Sequence, residues 1–279
     1  ISGAGRLNLD LGAQDFAPLR IEGGDLFIRA SATIMPSVEL VGGILTTVGN
    51  ITVLDAKLQG GVWETNGELF MVNTVHSLSA TVTGPGVLKV SGTYELLRGS
   101  VSGVGGTFEV LEGGTLIVDT NPNTVDWSYR ALSVRGTLFW KSGNIRFSKR
   151  PILINWESGS IVIEQDFVSS FIDGSPKLPV AELINYGSVL KRGTAPTDTR
   201  VQVRVIVRSN ATLEVESGGK LQLQQGGAVD ENGTVSIGAS TELSVSLRFD
   251  MVQGSTLEGN GLFRASSNAV VVAANTWSV

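Results

Sequence analysis

A short phrase, Gly-x-apolar-x-apolar, limits what this chain can fold into more than any other feature. It reads Gly5-Arg-Leu-Asn-Leu9, Gly24-Asp-Leu-Phe-Ile28, Gly67-Glu-Leu-Phe-Met71, Gly86-Val-Leu-Lys-Val90 and Gly106-Thr-Phe-Glu-Val110. It continues as Gly136-Thr-Leu-Phe-Trp140, Gly159-Ser-Ile-Val-Ile163, Gly187-Ser-Val189, Ala211-Thr-Leu-Glu-Val215 and Gly233-Thr-Val-Ser-Ile237, with a degenerate copy at Gly43. A unit of about 22 residues returning along a whole chain means one supersecondary element stacked many times. The apolar residues within a phrase sit two apart with a polar residue between them, as in Leu213-Glu-Val215 and Leu221-Gln-Leu223. Period-two alternation belongs to a strand with one buried face. Turn elements such as Glu-Gly-Gly at 112–114 and Glu-Asn-Gly at 231–233 precede the phrases and supply the backbone freedom of a corner. Glycines interrupt every helical candidate.

These spacings predict an all-β chain: one parallel β-solenoid of about twelve coils over residues 1–279, stacked at ~4.8 Å per coil. The usual hand of parallel crossovers makes it a right-handed β-helix. A sandwich or barrel also suits short, regularly spaced strands, but the period fits a whole coil better than a single strand. The 279 residues are 42% apolar and include 35 glycines and no cysteine. The absent thiols exclude disulfides, thiolate metal sites and cysteine nucleophiles. No apolar run approaches the ~18 residues of a membrane helix. The chain begins at Ile1, and we expect it to be a processed product or a piece of a longer polypeptide.

Asparagine marks recurrent corners. Leu153-Ile-Asn-Trp156 and Leu183-Ile-Asn-Tyr186 share one pattern, and Asn210 and Asn232 fall just ahead of phrases. Asn155, Asn185, Asn210 and Asn232 are therefore expected as turn residues, or as a ladder of stacked amides.

The segments Ala131 to Ile145, Leu183 to Gly193 and Ser209 to Leu223 follow a familiar order. In them the chain resembles the glycine- and asparagine-rich β-solenoid repeats of large secreted bacterial surface proteins, the group of autotransporter passengers and filamentous adhesins. The resemblance covers most of the chain and implies an extracellular or cell-surface location and an elongated, structural or adhesive role. It carries over no catalytic residue, and it implies no enzyme and no cofactor.

Few residues suggest chemistry of their own. His76 is the only histidine and is expected at the surface or in a loop, so no triad or histidine-rich metal site is expected. No phosphate loop, dinucleotide fingerprint or calcium loop occurs. Glu164 and Asp166 could serve as paired acids of a carbohydrate-active β-helix, since positions i and i+2 of a strand share a face.

Charge divides unevenly. Residues 1–129 hold 6 Lys/Arg and 13 Asp/Glu, residues 130–208 hold 12 and 6, and residues 209–279 hold 3 and 7. A basic middle between acidic ends suits lateral contacts or an acidic polysaccharide, whereas the acidic total argues against nucleic acid. The middle also concentrates aromatics, and Trp127, Tyr129, Phe139, Lys149 and Arg150 are the glycan-contact candidates. By alternation Trp140 points inward and Phe139 outward. Neither end reads as a polar cap, so the expected partners are further copies or neighbouring domains meeting the solenoid ends.

Overall fold

The computed structural model describes residues 5–11, 17–149, 151–164, 169–173, 181–193, 198–216, 219–266 and 268–273. Over these residues the chain is all-β, and it forms a parallel β-solenoid of about eleven turns. Every strand pairing is parallel, and each coil contributes to three sheets that run the length of the stack. At ~4.8 Å per coil the stack is roughly 50 Å long.

The first sheet begins with Arg6–Leu11 and passes through 25–30, 44–49, Val62–Thr65, Thr81–Thr83 and Ser100–Ser102. It continues through 126–128, 145–147, Ser169–Asp173, Asp198–Val201, Lys220–Leu223 and Glu242–Val245 to Leu262–Ala265. The second starts at 33–35 and includes Thr107–Val110, Ala131–Val134, Ile152–Asn155, Glu182–Asn185 and Arg204–Val207. The third starts at Leu19–Ile21 and includes 115–118, 137–140, Ser160–Glu164, Ser188–Arg192 and Thr212–Val215.

Alternation puts one residue of each pair inside. Leu116, Leu138, Ile161, Val189, Leu213 and Val235 form one buried column, each on its neighbour in the adjacent coil. Burial of such like-on-like columns is the main favourable term in the fold. One sequence expectation needs refining. The glycine phrase does not mark one equivalent corner. Gly5, Gly24 and Gly43 precede strands of the first sheet, Gly67, Gly86 and Gly106 the second, and Gly136, Gly159, Gly187 and Gly233 the third. The phrase is a general corner-to-strand junction, so its spacing drifts wherever it moves from one sheet to the next.

The need for glycine is steric at the third-sheet corner. The carbonyls of Gly136 and Gly159 accept from Ser160 and Ser188 of the following coils, at 2.9 and 3.1 Å. A Cβ on Gly136 would lie 2.2 Å from the carbonyl oxygen of Gly114. Only a residue without a side chain lets the coils approach that closely.

Candidate functional site

The corner between the second and third sheets carries the most differentiated surface. In the first coils it is turned inside a continuous strand, as in Asp25–Leu40 and Val87–Leu96. Later the chain leaves the strand there, and the connections are 111–114, 135–136, 156–159, 186–187 and 208–211. Four-residue arcs thus flank a two-residue turn at 186–187. The shorter turn recedes, and a notch of about 470 Å³ opens at that level. Glu157 and Ser158 form one wall, Ser209 and Asn210 the other, and Tyr186, Gly187 and Ser188 the floor.

The floor is braced from inside. Asn155 and Asn185 are fully buried and stack in register. The Nδ2 of Asn155 donates to Asn185 Oδ1 at 2.7 Å and to the carbonyl of Ser188 at 2.9 Å. Asn185 Oδ1 also accepts from the Gly187 amide at 3.2 Å, while its Nδ2 donates to the carbonyl of Thr212 at 2.8 Å. The expected amide ladder therefore exists over these two coils, and it fixes the tight turn. Asn210 and Asn232 play the other expected part: both are turn residues with positive φ, 62° and 60°.

Outside the same corner the aromatics of the two Leu-Ile-Asn motifs stack. Trp156 and Tyr186 lie 5.7 Å apart at 12°, with the Arg135 guanidinium 4.7 Å from the Trp156 ring and that of Arg208 5.9 Å from the Tyr186 ring. Hydrogen bonding and proximity to Asp230 raise the pKa of Arg208, so its charge is secure. Both rings are covered on their faces and offer mainly edges.

Beside the notch, the outer surface of the third sheet carries a column of hydroxyls. Thr93, Thr115, Thr137, Ser160, Ser188, Thr212, Thr234 and Thr256 are successive register partners. The next outward column is apolar over four coils: Ile117, Phe139, Val162 and Leu190.

The glycan-contact candidates do not converge. Trp127 is buried at 1% exposure, its indole N–H donating to the Arg130 carbonyl at 2.7 Å and its ring packed edgewise on Phe108. It fills the core and offers no ring to a ligand, which corrects the sequence reading. Tyr129 and Lys149 are exposed, have positive φ and sit on adjacent coils at the corner between the first and second sheets. Phe139 points outward as expected, but on the third sheet, half-buried beneath Lys141 and Arg192. Arg150 lies outside the described residues, as does Asp166. Glu164 pairs with Arg192.

Sequence reasoning also missed an internal polar cluster. His76 is fully buried rather than at the surface. Its Nε2 lies 2.8 Å from the Ala80 carbonyl, which can only accept, so Nε2 carries the proton and Nδ1 accepts from Tyr94 O–H at 2.7 Å. Burial lowers the His76 pKa to about 4 and raises that of Tyr94. Arg130 is also buried. It donates to the carbonyls of Gly84, Ser102 and Thr107 at 2.6, 3.0 and 3.2 Å, and burial lowers its pKa to about 10.

Surface charge is largely balanced between coils. Asp126 pairs with Arg146 at 3.4 Å, Glu182 with Arg204 at 3.6 Å and Asp230 with Arg208 at 3.1 Å. No protein-family model, no curated protein and no solved structure matches this chain.

Proposed function

We propose that this chain is a non-enzymatic structural or adhesive β-solenoid of the cell exterior, serving as a subunit or segment of an elongated surface assembly. The reading is carried by the state of the two ends of the stack. Leu7 is 43% exposed, whereas its register partner Leu26 is 1% exposed. At the other end Leu257, Phe263 and Val271 are only partly buried, whereas Val235, Leu243 and Phe249, one coil earlier, are fully buried. Residues built to face the core thus emerge at both ends, beside strand edges whose amides and carbonyls point along the axis. A further coil of the same kind satisfies both the apolar surface and the edge. Head-to-tail contacts of that type do not close and give a filament. The resemblance to secreted surface repeats supports the extracellular location.

Electron microscopy and sedimentation velocity of native material test the reading. Rods longer than one ~50 Å stack are expected, and Leu7→Lys or Val271→Lys should shorten them. Compact monomers of 29.4 kDa at every concentration would overturn it. The non-enzymatic part fails if incubation with polysaccharides steadily releases unsaturated or reducing ends.

A further inference from the structure

We infer that the notch at 186–187 is a binding site for a neutral, hydroxyl-rich glycan unit, with the glycan chain continuing along the hydroxyl column of the third sheet. This stands independently of end-to-end assembly. The volume of about 470 Å³ falls within the range of small-ligand sites and suits one or two sugar rings.

The lining selects the chemistry. Ser160, Ser188, Ser209 and Thr212 bring hydroxyls, Asn210 an exposed amide and Glu157 an exposed carboxylate. Such groups both donate and accept, which matches a polyol. Among the described residues, Glu157 is the only charged one in the lining. A carboxylate accepts from sugar hydroxyls and repels a uronic or sialic carboxylate, while a single carboxylate is too few ligands for a hard cation.

The surroundings extend the match. Ser160, Ser188 and Thr212 belong to the hydroxyl column, so the notch opens onto a line of hydroxyls one coil apart. Leu190, half-buried in the adjacent column, presents C–H surface to a ring face. The floor is preorganised, because the Asn155–Asn185 bonds hold the turn from inside. Preorganisation lowers the ordering cost that weakens most carbohydrate binding.

The test is an NMR titration of the full chain with neutral oligosaccharides of glucose, mannose, galactose and xylose, against hexagalacturonate as the acidic probe. We expect saturable shifts at the amides of Gly159, Gly187, Ser209 and Asn210 with at least one neutral probe, and none with hexagalacturonate. Two variants keep the backbone: Glu157→Gln is isosteric, and Asn210→Gly retains a residue suited to positive φ. Combined, they should weaken binding by about ten-fold or more through lost hydrogen bonds, with unchanged spectra elsewhere. Three outcomes each overturn the proposal: no saturable shift with any neutral probe, shifts confined to another surface, or equal binding by the double variant. A preference for hexagalacturonate does the same.

Discussion

The first coils of this molecule and those of its middle solve the same problem with different amounts of chain. From Asp25 to Ser100 the first-sheet partners are Asp25, Ile44, Val62, Thr81 and Ser100, separated by 19, 18, 19 and 19 residues. Beyond that point Ser100 pairs with Asp126, 26 residues on, and Phe171 with Val201, 30 residues on. The short coils run almost entirely as strand and turn two of their corners within it. In the later coils the chain leaves the strand at the corner between the second and third sheets, and there the asparagine ladder and the notch occur. A minimal coil closes a core; a corner that leaves the strand shapes the outer surface as well.

The largest expected effect is at Arg130, on the coil that follows the first long one. Its guanidinium serves three carbonyls from the two preceding coils. Arg130→Met leaves those acceptors dry and should cost about 3 kcal/mol or more in urea unfolding, since each unsatisfied buried group costs about 1–3 kcal/mol. Arg146→Met, on the solvent side of the next coil, should change little. Equal costs at the two sites would break the distinction between the inner and outer cations.

The short coils have their own test at His76. Its folded pKa, about 4, lies below the ordinary 6.5, so folding favours the neutral ring. The associated stability is fully present above pH 6.5 and is lost as pH falls from there through about 4; it amounts to roughly 3 kcal/mol. Protonation would also place a second N–H against Tyr94 O–H, the donor that Nδ1 now accepts from. Because the chain has one histidine, its imidazole NMR signals report this site alone. They should remain neutral at pH 5.5, and the pH slope of unfolding should flatten in His76→Leu. A ring titrating near 6.5 in the folded protein would place it in water.

These polar interiors show what the sequence could and could not reveal. Period-two alternation and recurrent corners were enough for the parallel stack, and the paired Leu-Ile-Asn-aromatic motifs led to Asn155 on Asn185 and Trp156 on Tyr186. His76 escaped for a definable reason. Counting alternately from Leu69 and Met71 places Asn73 and Val75 inside. The corner between the second and third sheets falls inside this strand and resets the count, so Thr74 and His76 turn inward instead. Arg130 had no local signal, because its partners come from Gly84, two coils away, and from Ser102 and Thr107, one coil away. The notch depends on the difference between two- and four-residue corners, which becomes visible only once each phrase is assigned to its sheet.

A smaller effect sharpens the contrast between corners. A Cβ on Gly187 would lie 2.3 Å from the carbonyl oxygens of both Gly159 and Trp156, so Gly187→Ala must push coils apart. Overpacking of that kind should cost about 2 kcal/mol. Gly113, in a four-residue arc, has positive φ but open space around it, and Gly113→Ala should cost nearer 1 kcal/mol. Thermal unfolding of the two variants separates steric crowding from backbone conformation. If Gly113→Ala proves the more harmful, the close approach at the notch floor is not the controlling term.

The smallest expected effect concerns which residue takes the left-handed position. The short coils use glycine at Gly43, Gly61, Gly84 and Gly99, with Leu78 the one residue that is not glycine, whereas the later coils turn to Asn210, Asn232 and Ser240. Asn210 and Asn232 lie one above the other: the Asn210 amide donates to the Asn232 carbonyl at 3.2 Å, and the Asn232 amide to the Gly254 carbonyl at 3.1 Å. Asparagine tolerates positive φ better than other residues with a Cβ, and glycine tolerates it without steric cost. Asn232→Ala should therefore lose about 1 kcal/mol in chemical unfolding, while Asn232→Gly should stay within a few tenths of that for the native chain. The ordering matters more than the size. Were alanine as good as glycine here, the corner would be held by its interstrand amides alone. The asparagines would then be free to serve the ligand face rather than the turn.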